Sequence, residues 1–139
     1  MKKSAFKIFV CLLCLIIVSC SSINNSSSSK QENDASFERI PLNEAFNQKN
    51  ENYYILVFSP SCLACQSILE VLAYKNKKES IDLFLIDFHE VKKDDNSSNV
   101  GVNDYSKISY ISVPLLLIIE NKTIINEIYG FETIRDALV

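Results

Sequence analysis

Two cysteine pairs with the spacing Cys-x-x-Cys are the residues of this 139-residue chain best suited to chemistry. They are Cys11-Leu12-Leu13-Cys14 and Cys62-Leu63-Ala64-Cys65. When such a pair opens a helix, both side chains lie on one face, close enough to form a disulfide. The positive end of the helix dipole also stabilises the thiolate of the first cysteine. In the second pair, Cys62 is therefore expected to attack a disulfide, and Cys65 to resolve the resulting mixed disulfide.

The first pair lies in an apolar segment near the N-terminus. Residues 8–18 are all apolar and three lysines precede them, which is typical of a secretory signal peptide. This run is too short to cross a bilayer, because a spanning helix needs roughly 20 residues. Cys11 and Cys14 are therefore interpreted as small hydrophobic residues of that segment.

The apolar segment ends in Ile17-Val18-Ser19-Cys20, which resembles the lipobox of bacterial lipoproteins. The resemblance implies cleavage before Cys20 and attachment of a diacylglyceryl group to its thiol, so that residues 1–19 leave as the signal peptide. An ordinary signal peptide cut elsewhere, or an uncleaved anchor, is the alternative. Two lipid chains hold a protein lastingly on a membrane. The prediction is a lipid-anchored protein of the cell envelope, outside the cytoplasm.

Composition limits what can follow the signal peptide. Without residues 1–19 the chain keeps 120 of its 139 residues, enough for one domain. Residues 20–35 are rich in Ser and Asn and nearly free of apolar side chains, so they are predicted to form a flexible tether beginning at the lipidated cysteine. Acidic residues outnumber basic ones by 17 to 14. This balance argues against nucleic acid as a partner.

Export changes how the remaining thiols are interpreted, because cysteines outside the cytoplasm tend to pair. If Cys20 is acylated, Cys62 and Cys65 remain, and such a pair forms a disulfide or cycles through one. A zinc site would need two further ligands, and His89 is the sole histidine. Neither a metal nor a cofactor is predicted.

Hydrophobic periodicity predicts an alternation of strands and helices over residues 36–139. The run Tyr53-Tyr54-Ile55-Leu56-Val57-Phe58 indicates a strand buried on both faces. A helix with Ser61 as its N-cap follows, and then a strand, which together make a βαβ unit. The predicted strands are 37–40, 53–58, 81–88, 115–119 and 123–129, the last two forming a hairpin. The predicted helices are 41–49, 62–78, a short one near 103–109, and a brief one after Gly130.

The strand, the Ser59-Pro60-Ser61 turn and the Cys-x-x-Cys that opens a helix resemble the active-site segment of thioredoxin-like proteins. Val113-Pro114 followed by an apolar strand matches the family's proline, normally cis, beside the dithiol. Gly130 matches the glycine that closes its last strand. The resemblance implies an α/β thioredoxin-like fold over residues 36–139, with a central mixed β-sheet flanked by helices. It also implies that Val113, Pro114 and Gly130 bind substrate, with backbone before the proline pairing to the client chain.

Some positions depart from the family pattern. Leu56 occupies the place of a buried acid that handles the proton of the second thiol, and the lysine usually near that acid falls at about Leu83. Ser61 replaces a tryptophan, and Leu63-Ala64 lies between the cysteines. Proton transfer to and from Cys65 is therefore expected to use water or another group.

The predicted function is that of a membrane-anchored, extracytoplasmic thiol–disulfide oxidoreductase, with Cys62 as nucleophile and Cys65 as resolving cysteine. Its partners would be exported cysteine-containing proteins and a redox partner. One alternative is a redox-inert thioredoxin-like binding module in which the pair is a structural disulfide. Another is a dithiol protein that delivers Cu(I), since thiolates suit that ion.

Overall fold

The structure is a computed structural model that describes residues 37–138. The predicted signal peptide, the lipid-attachment residue Cys20 and the tether of residues 20–35 lie outside the described residues. The strands are β1 (Glu38–Arg39), β2 (Asn52–Phe58), β3 (Leu83–Asp87), β4 (Lys92–Lys93), β5 (Ser109–Tyr110), β6 (Leu115–Glu120) and β7 (Thr123–Tyr129). The α-helices are α1 (Leu63–Asn76) and α2 (Phe131–Leu138).

Five strands form a mixed sheet in the order β1-β3-β2-β6-β7. The central strand β2 runs parallel to β3 and antiparallel to β6. β1 is parallel to β3, and β7 closes the hairpin with β6. The predicted βαβ unit is therefore confirmed as β2, α1 and β3, and it places the N-terminus of α1 at the carboxyl end of β2.

Alternation along the strands divides the core between the two faces of the sheet. One face carries Leu56, Leu85 and Leu116, and both α-helices pack there, burying Ile68 and Ile134. The opposite face is covered by irregular segments. Its buried side chains include Ile40, Ala45, Ile55, Val57, Ile86, Val91, Ile108, Leu117 and Ile124. In the described residues, the α-helices thus lie on the face that also holds Cys65.

The predicted helix at residues 41–49 is wrong. Leu42–Glu44 forms a single 3-10 turn, and bends follow it. Side chains bond within the segment: Asn47 donates from Nδ2 to Glu44 Oε2 at 2.9 Å, and Gln48 donates from Nε2 to the Glu44 carbonyl oxygen at 2.8 Å. Such local bonds compete with the helical ladder. The apolar pattern still identified the inward side, because Ala45 is fully buried.

The long segment between β3 and β6 differs from the prediction and is attached to the sheet by hydrogen bonds. A 3-10 turn at Tyr105–Lys107 stands where a short helix was expected. β4 and β5 form a two-residue parallel ladder that was not predicted. Asn99, fully buried, donates from Nδ2 to the Ser109 carbonyl oxygen at 2.9 Å and to Glu127 Oε2 at 2.7 Å. These bonds attach the segment to β7.

Across residues 37–138, no helix is both long enough and apolar enough to cross a membrane.

Candidate functional site

Cys62 is the N-cap residue of α1. Its backbone is extended (φ −88°, ψ 115°), and its Sγ accepts a hydrogen bond from the Cys65 N–H at 3.2 Å. The prediction that Ser61 caps this helix is therefore wrong, because the helix begins one residue later and the sulfur of Cys62 accepts the N3 amide, that of Cys65. The Ser61 hydroxyl instead bonds the Ser59 hydroxyl at 3.0 Å.

The two thiols differ in their exposure to solvent. Both are free in the structure, Cys62 partly exposed and Cys65 fully buried. Burial raises the pKa of Cys65 to about 12, and its hydrogen bond to the Cys62 side chain acts in the same direction. A hydrogen bond from the Ser59 backbone N–H opposes these effects. At neutral pH, Cys65 therefore keeps its proton, and Cys62 is the sulfur that an incoming disulfide can reach.

The loop before β6 lies against the dithiol, although it is about fifty residues distant in sequence. The Val113–Pro114 peptide bond is cis, as the resemblance implied. The Cys62 thiol donates to the Val113 carbonyl oxygen at 3.9 Å. Pro114 is buried and Val113 half-buried. The structure thus brings Cys62, Cys65 and Val113 together, while the role of Val113 and Pro114 in substrate binding stays a prediction.

Gly130 joins the same loop from the end of β7. Its φ of +81° lies in the left-handed region that glycine favours. Its N–H donates to the Pro114 carbonyl oxygen at 3.0 Å, and its own carbonyl accepts the Ile134 N–H at 3.1 Å. Gly130 therefore links the proline loop to the start of α2. Its predicted role in substrate binding stays a prediction.

The surroundings of Cys65 are apolar, as the departures from the family pattern suggested. Leu56 is fully buried in the cluster that contains Cys65, and Leu83 is nearly so. The register pairs Leu56 with Leu85, and Leu83 with Tyr54. Neither position supplies a proton acceptor to the second thiol.

Asp87 is a carboxylate at the same end of the sheet. It ends β3 and pairs in register with Phe58, the last residue of β2. Burial by itself raises its pKa, but hydrogen bonds from the His89 N–H (3.0 Å) and ring (2.8 Å), with the charge of Arg39, outweigh this and lower it. The Asp87 carboxylate is thus hydrogen-bonded by His89 and stabilised by the charge of Arg39. Spacing along the chain does not indicate that Asp87 lies near the charge of Arg39, since the two residues are on different strands.

Ser59, which the sequence placed only in the turn before the dithiol, is a buried residue of this site. It follows β2 directly, and only 4% of its surface is exposed. Its carbonyl oxygen accepts the Cys62 N–H at 3.1 Å. A polar residue directly after a strand buried on both faces, and just before Pro60, was a signal that could have indicated a buried hydroxyl.

A second polar cluster lies behind the proline loop. Glu127 accepts hydrogen bonds from Ser98 Oγ at 2.8 Å and from the Tyr129 hydroxyl at 3.2 Å. Burial alone raises the pKa of Glu127, but the bonds from Ser98, Asn99 and Tyr129 outweigh it and lower the pKa. Burial, with the nearby charge of Glu127, raises the pKa of Tyr129 to about 12. The Tyr129 hydroxyl also receives a hydrogen bond from the Ile111 backbone, which ties this cluster to the loop leading into Val113.

Among residues 37–138, no three His, Cys, Asp or Glu side chains stand close enough to hold a metal ion.

Solved thioredoxins share this architecture. Mitochondrial thioredoxin 3 of Saccharomyces cerevisiae, in its oxidised form, is 15% identical with a TM-score of 0.54, and the match covers 76% of this chain and 92% of that one. Oxidised thioredoxin of Plasmodium falciparum is 14% identical with a TM-score of 0.51, and the match covers 74% and 95% of the two chains. No protein-family model matches the sequence, and no curated protein matches it.

Similarity at such low identity shows the fold alone. The chain has a thioredoxin fold, which confirms the predicted α/β class with its mixed central sheet. The Cys-x-x-Cys spacing of Cys62 and Cys65 fits the motif of that fold and stands at the N-terminus of α1.

Proposed function

We propose that the protein is a thiol–disulfide oxidoreductase that uses Cys62 as nucleophile and Cys65 as resolving cysteine. One observation carries this proposal. The partly exposed sulfur of Cys62 accepts the Cys65 N–H at the start of α1, and the fully buried thiol of Cys65 is hydrogen-bonded to the Cys62 side chain. A purely structural disulfide does not need one sulfur to be reachable. An exchange catalyst needs a reachable sulfur, because its thiolate must attack a sulfur of the client disulfide.

In the proposed reaction the Cys62 thiolate attacks one sulfur of a client disulfide. A bond forms between Cys62 and that sulfur, and the other client sulfur leaves as a thiolate. Cys65 then loses its proton and attacks Cys62, so that a Cys62–Cys65 disulfide forms and the client leaves reduced. In the opposite direction the protein oxidises a dithiol. Which direction prevails depends on the reduction potential of the pair and on its redox partner.

The proline loop is proposed to hold the client chain. The Val113 carbonyl oxygen lies 3.9 Å from the Cys62 sulfur, so a client strand paired to this backbone would carry its cysteine past the thiolate. Leu63, 78% exposed, and Ile111, 41% exposed, offer apolar contacts beside Cys62 and before Val113. We therefore expect client cysteines that are flanked by apolar residues in extended chain.

The proposed place of action is the extracytoplasmic face of a membrane, with exported cysteine-containing proteins as clients. This proposal rests on the sequence of the N-terminal segment, with its lipobox-like end at Cys20. Metabolic labelling with a radioactive fatty acid and membrane fractionation test it. Label and membrane association that disappear in Cys20→Ser support the anchor, whereas equal fractionation of that variant contradicts it.

Trapping of clients tests the proposed activity. In Cys65→Ser the first step leaves a mixed disulfide that no second thiol resolves, so client proteins should remain attached through Cys62. The matched control is the double variant Cys62→Ser/Cys65→Ser, which should trap nothing. If Cys65→Ser captures no more protein than the control, the exchange proposal fails and the redox-inert binding module is favoured.

A further inference from the structure

Asn99 is a fully buried polar residue in the segment between β4 and β5. Its side-chain amide bonds the backbone of Ser109, the first residue of β5, at two points. Asn99 Nδ2 donates to the Ser109 carbonyl oxygen at 2.9 Å, and Asn99 Oδ1 accepts the Ser109 N–H at 2.9 Å. One side chain thus satisfies both backbone groups of this residue, as a neighbouring strand would. The Asn99 amide therefore holds β5 in place at Ser109.

Glu127 attaches this amide to β7. Its Oε2 accepts Asn99 Nδ2 at 2.7 Å and the Asn99 backbone N–H at 3.1 Å. The same carboxylate accepts the hydroxyl of Ser98 at 2.8 Å and that of Tyr129 at 3.2 Å. Hydrogen bonds to an ionised carboxylate are stronger than those between neutral groups. Asn99 is therefore fixed between β5 and β7, with both ends of its side-chain amide bonded to protein.

The proline loop begins directly after β5. Its residues 111–113 join β5 to the cis-proline, Pro114. The last of them, Val113, brings its carbonyl oxygen to 3.9 Å from the Cys62 sulfur. Because this connection is short, the positions of its two ends determine where the Val113 carbonyl lies relative to the sulfur.

Both ends of that connection are attached to β7. At the downstream end, β6 pairs with β7, and the Pro114 carbonyl oxygen accepts the N–H of Gly130, the residue that follows β7. At the upstream end, the attachment runs from β5 through the Asn99 side chain to Glu127. Without the Asn99 amide, β5 keeps its two-residue ladder with β4 but loses this attachment to β7. The upstream end of the proline loop then has more freedom to move.

We propose that Asn99 is a positioning residue for client binding, which holds the proline loop so that the Val113 backbone pairs with an extended client chain beside Cys62. The inference rests on the proposed exchange function. Asn99 does not touch the reacting sulfurs, since it acts through Ser109 and the loop that follows. Its removal should therefore slow reactions that need strand pairing and leave the intrinsic reactivity of Cys62 unchanged.

The test compares disulfides that differ in their ability to pair as a strand. The protein is the full-length chain with Cys11, Cys14 and Cys20 replaced by serine, reduced and kept in detergent micelles. The first probe is 5,5′-dithiobis(2-nitrobenzoate), which has no peptide backbone. The second is a hexapeptide with one cysteine between two valines, joined through its sulfur to thionitrobenzoate. The third is the same peptide with methylated backbone nitrogens on both sides of the cysteine, which removes the N–H donors of a strand ladder.

One reaction is followed with all three probes. The Cys62 thiolate forms a bond to a probe sulfur, the S–S bond of the probe breaks, and thionitrobenzoate leaves with the electron pair as the better leaving group. Stopped-flow absorbance of the first release gives a second-order rate constant for each probe. The ratio of the peptide rate to the small-disulfide rate then measures the contribution of strand pairing.

Asn99→Ala should react with the peptide about tenfold more slowly than the parent and with the small disulfide within about twofold of it, since misplacement by about 1 Å costs up to about 10²-fold. With the N-methylated peptide, parent and variant should react at the same rate, because neither pairs with that backbone. Glu127→Gln keeps the side-chain size but loses the carboxylate that holds Asn99. It should lower the peptide rate in the same direction, by less than Asn99→Ala.

A control separates this role from a loss of stability. Ile119→Ala leaves a cavity at a fully buried position toward the end of β6 that is remote from Pro114, so it should destabilise the fold without moving the proline loop. This variant should keep the rate ratio of the parent. Circular dichroism in the assay buffer checks that each variant is folded. If Asn99→Ala does not fold, the half-buried position of Glu127 lets Glu127→Gln carry the test.

Three results would overturn the inference. They are a rate ratio equal to that of the parent in Asn99→Ala, or in Glu127→Gln where Asn99→Ala does not fold; the same change of ratio in Ile119→Ala; and equal slowing of Asn99→Ala with the peptide and its N-methylated form. A first release that is unaffected by Cys62→Ser would instead defeat the proposed exchange function. The two failures are thus distinguishable within one set of measurements.

Discussion

Raising the pH from 8.5 to 10.5 should destabilise the reduced protein more than the oxidised protein. The cause is Cys65, which is fully buried and has its pKa raised from 9.0 to about 12 by that burial. Above pH 9 the thiol of the unfolded chain loses its proton while the folded chain keeps it. The unfolded state then binds fewer protons, so the free energy of unfolding falls as the pH rises toward the folded pKa.

The size of the effect follows from the distance between the pH and the unfolded pKa. Each pKa unit corresponds to about 1.36 kcal/mol, and pH 10.5 lies about 1.5 units above the unfolded value, which gives a loss of about 2 kcal/mol. In the oxidised protein the same sulfur is in a disulfide and does not titrate. The raised pKa values of Tyr53 and Tyr129 act in both redox forms and cancel in the difference.

Urea denaturation of the full-length chain, followed by far-ultraviolet circular dichroism, measures this difference with and without reductant at both pH values. Circular dichroism is the suitable signal because the chain has no tryptophan. Cys65→Ala is the matched control, and it should lose the additional alkaline destabilisation. The reasoning is refuted if both redox forms lose equal stability, or if Cys65→Ala keeps the additional loss.

Three further predictions concern the packing around the site. Asn99→Ala removes a buried side chain that hydrogen-bonds Ser109 and Glu127, so it should lower the free energy of unfolding, measured by urea denaturation, by about 2–3 kcal/mol. The exposed control Asn96→Ala should change it by no more than about 0.5 kcal/mol, and equal losses in the two variants would contradict this. Ile68→Ala leaves a cavity at a fully buried position in the cluster that contains Cys65, so it should lower the free energy of unfolding by about 2–5 kcal/mol. The exposed control Ser67→Ala on the same helix should lower it by about 0.5 kcal/mol or less. A small loss for Ile68→Ala would show that the core there is loosely packed. The lowered pKa of Glu127 contributes stability above about pH 4.5, and this stability is lost as the pH falls. Glu127→Gln should therefore lose less of its free energy of unfolding than the parent between pH 6 and pH 3. Equal losses of stability in the variant and the parent over that range would contradict this role.

Much of the architecture could be predicted because its signals are local. The apolar run of β2, the turn at Pro60 and the helical spacing in α1 predicted the βαβ unit that carries the dithiol. The hairpin of β6 and β7 followed from two apolar runs about a short polar turn. The resemblance to thioredoxin-like proteins supplied the place of Pro114, which no periodicity indicates.

What could not be predicted depends on contacts between distant segments or on competing local bonds. Residues 41–49 have a helical apolar pattern, yet side chains such as Asn47 and Gln48 bond the turn instead. Cys62 is the N-cap because its sulfur accepts the Cys65 N–H, a bond that the hydroxyl of an N-cap serine more commonly makes. The position of Asn99 is set by Ser109 and Glu127, and spacing along the chain gives no sign of either contact.

The reduction potential of the Cys62–Cys65 pair tests the central claim most directly. The full-length chain is equilibrated in redox buffers of known potential, and the 62–65 disulfide is quantified by alkylation and peptide mass spectrometry, which keeps the other cysteines out of the measurement. An exchange catalyst should titrate reversibly between about −270 and −120 mV, the range of known dithiol oxidoreductases. A pair that stays oxidised below about −300 mV, as structural disulfides do, would contradict the account.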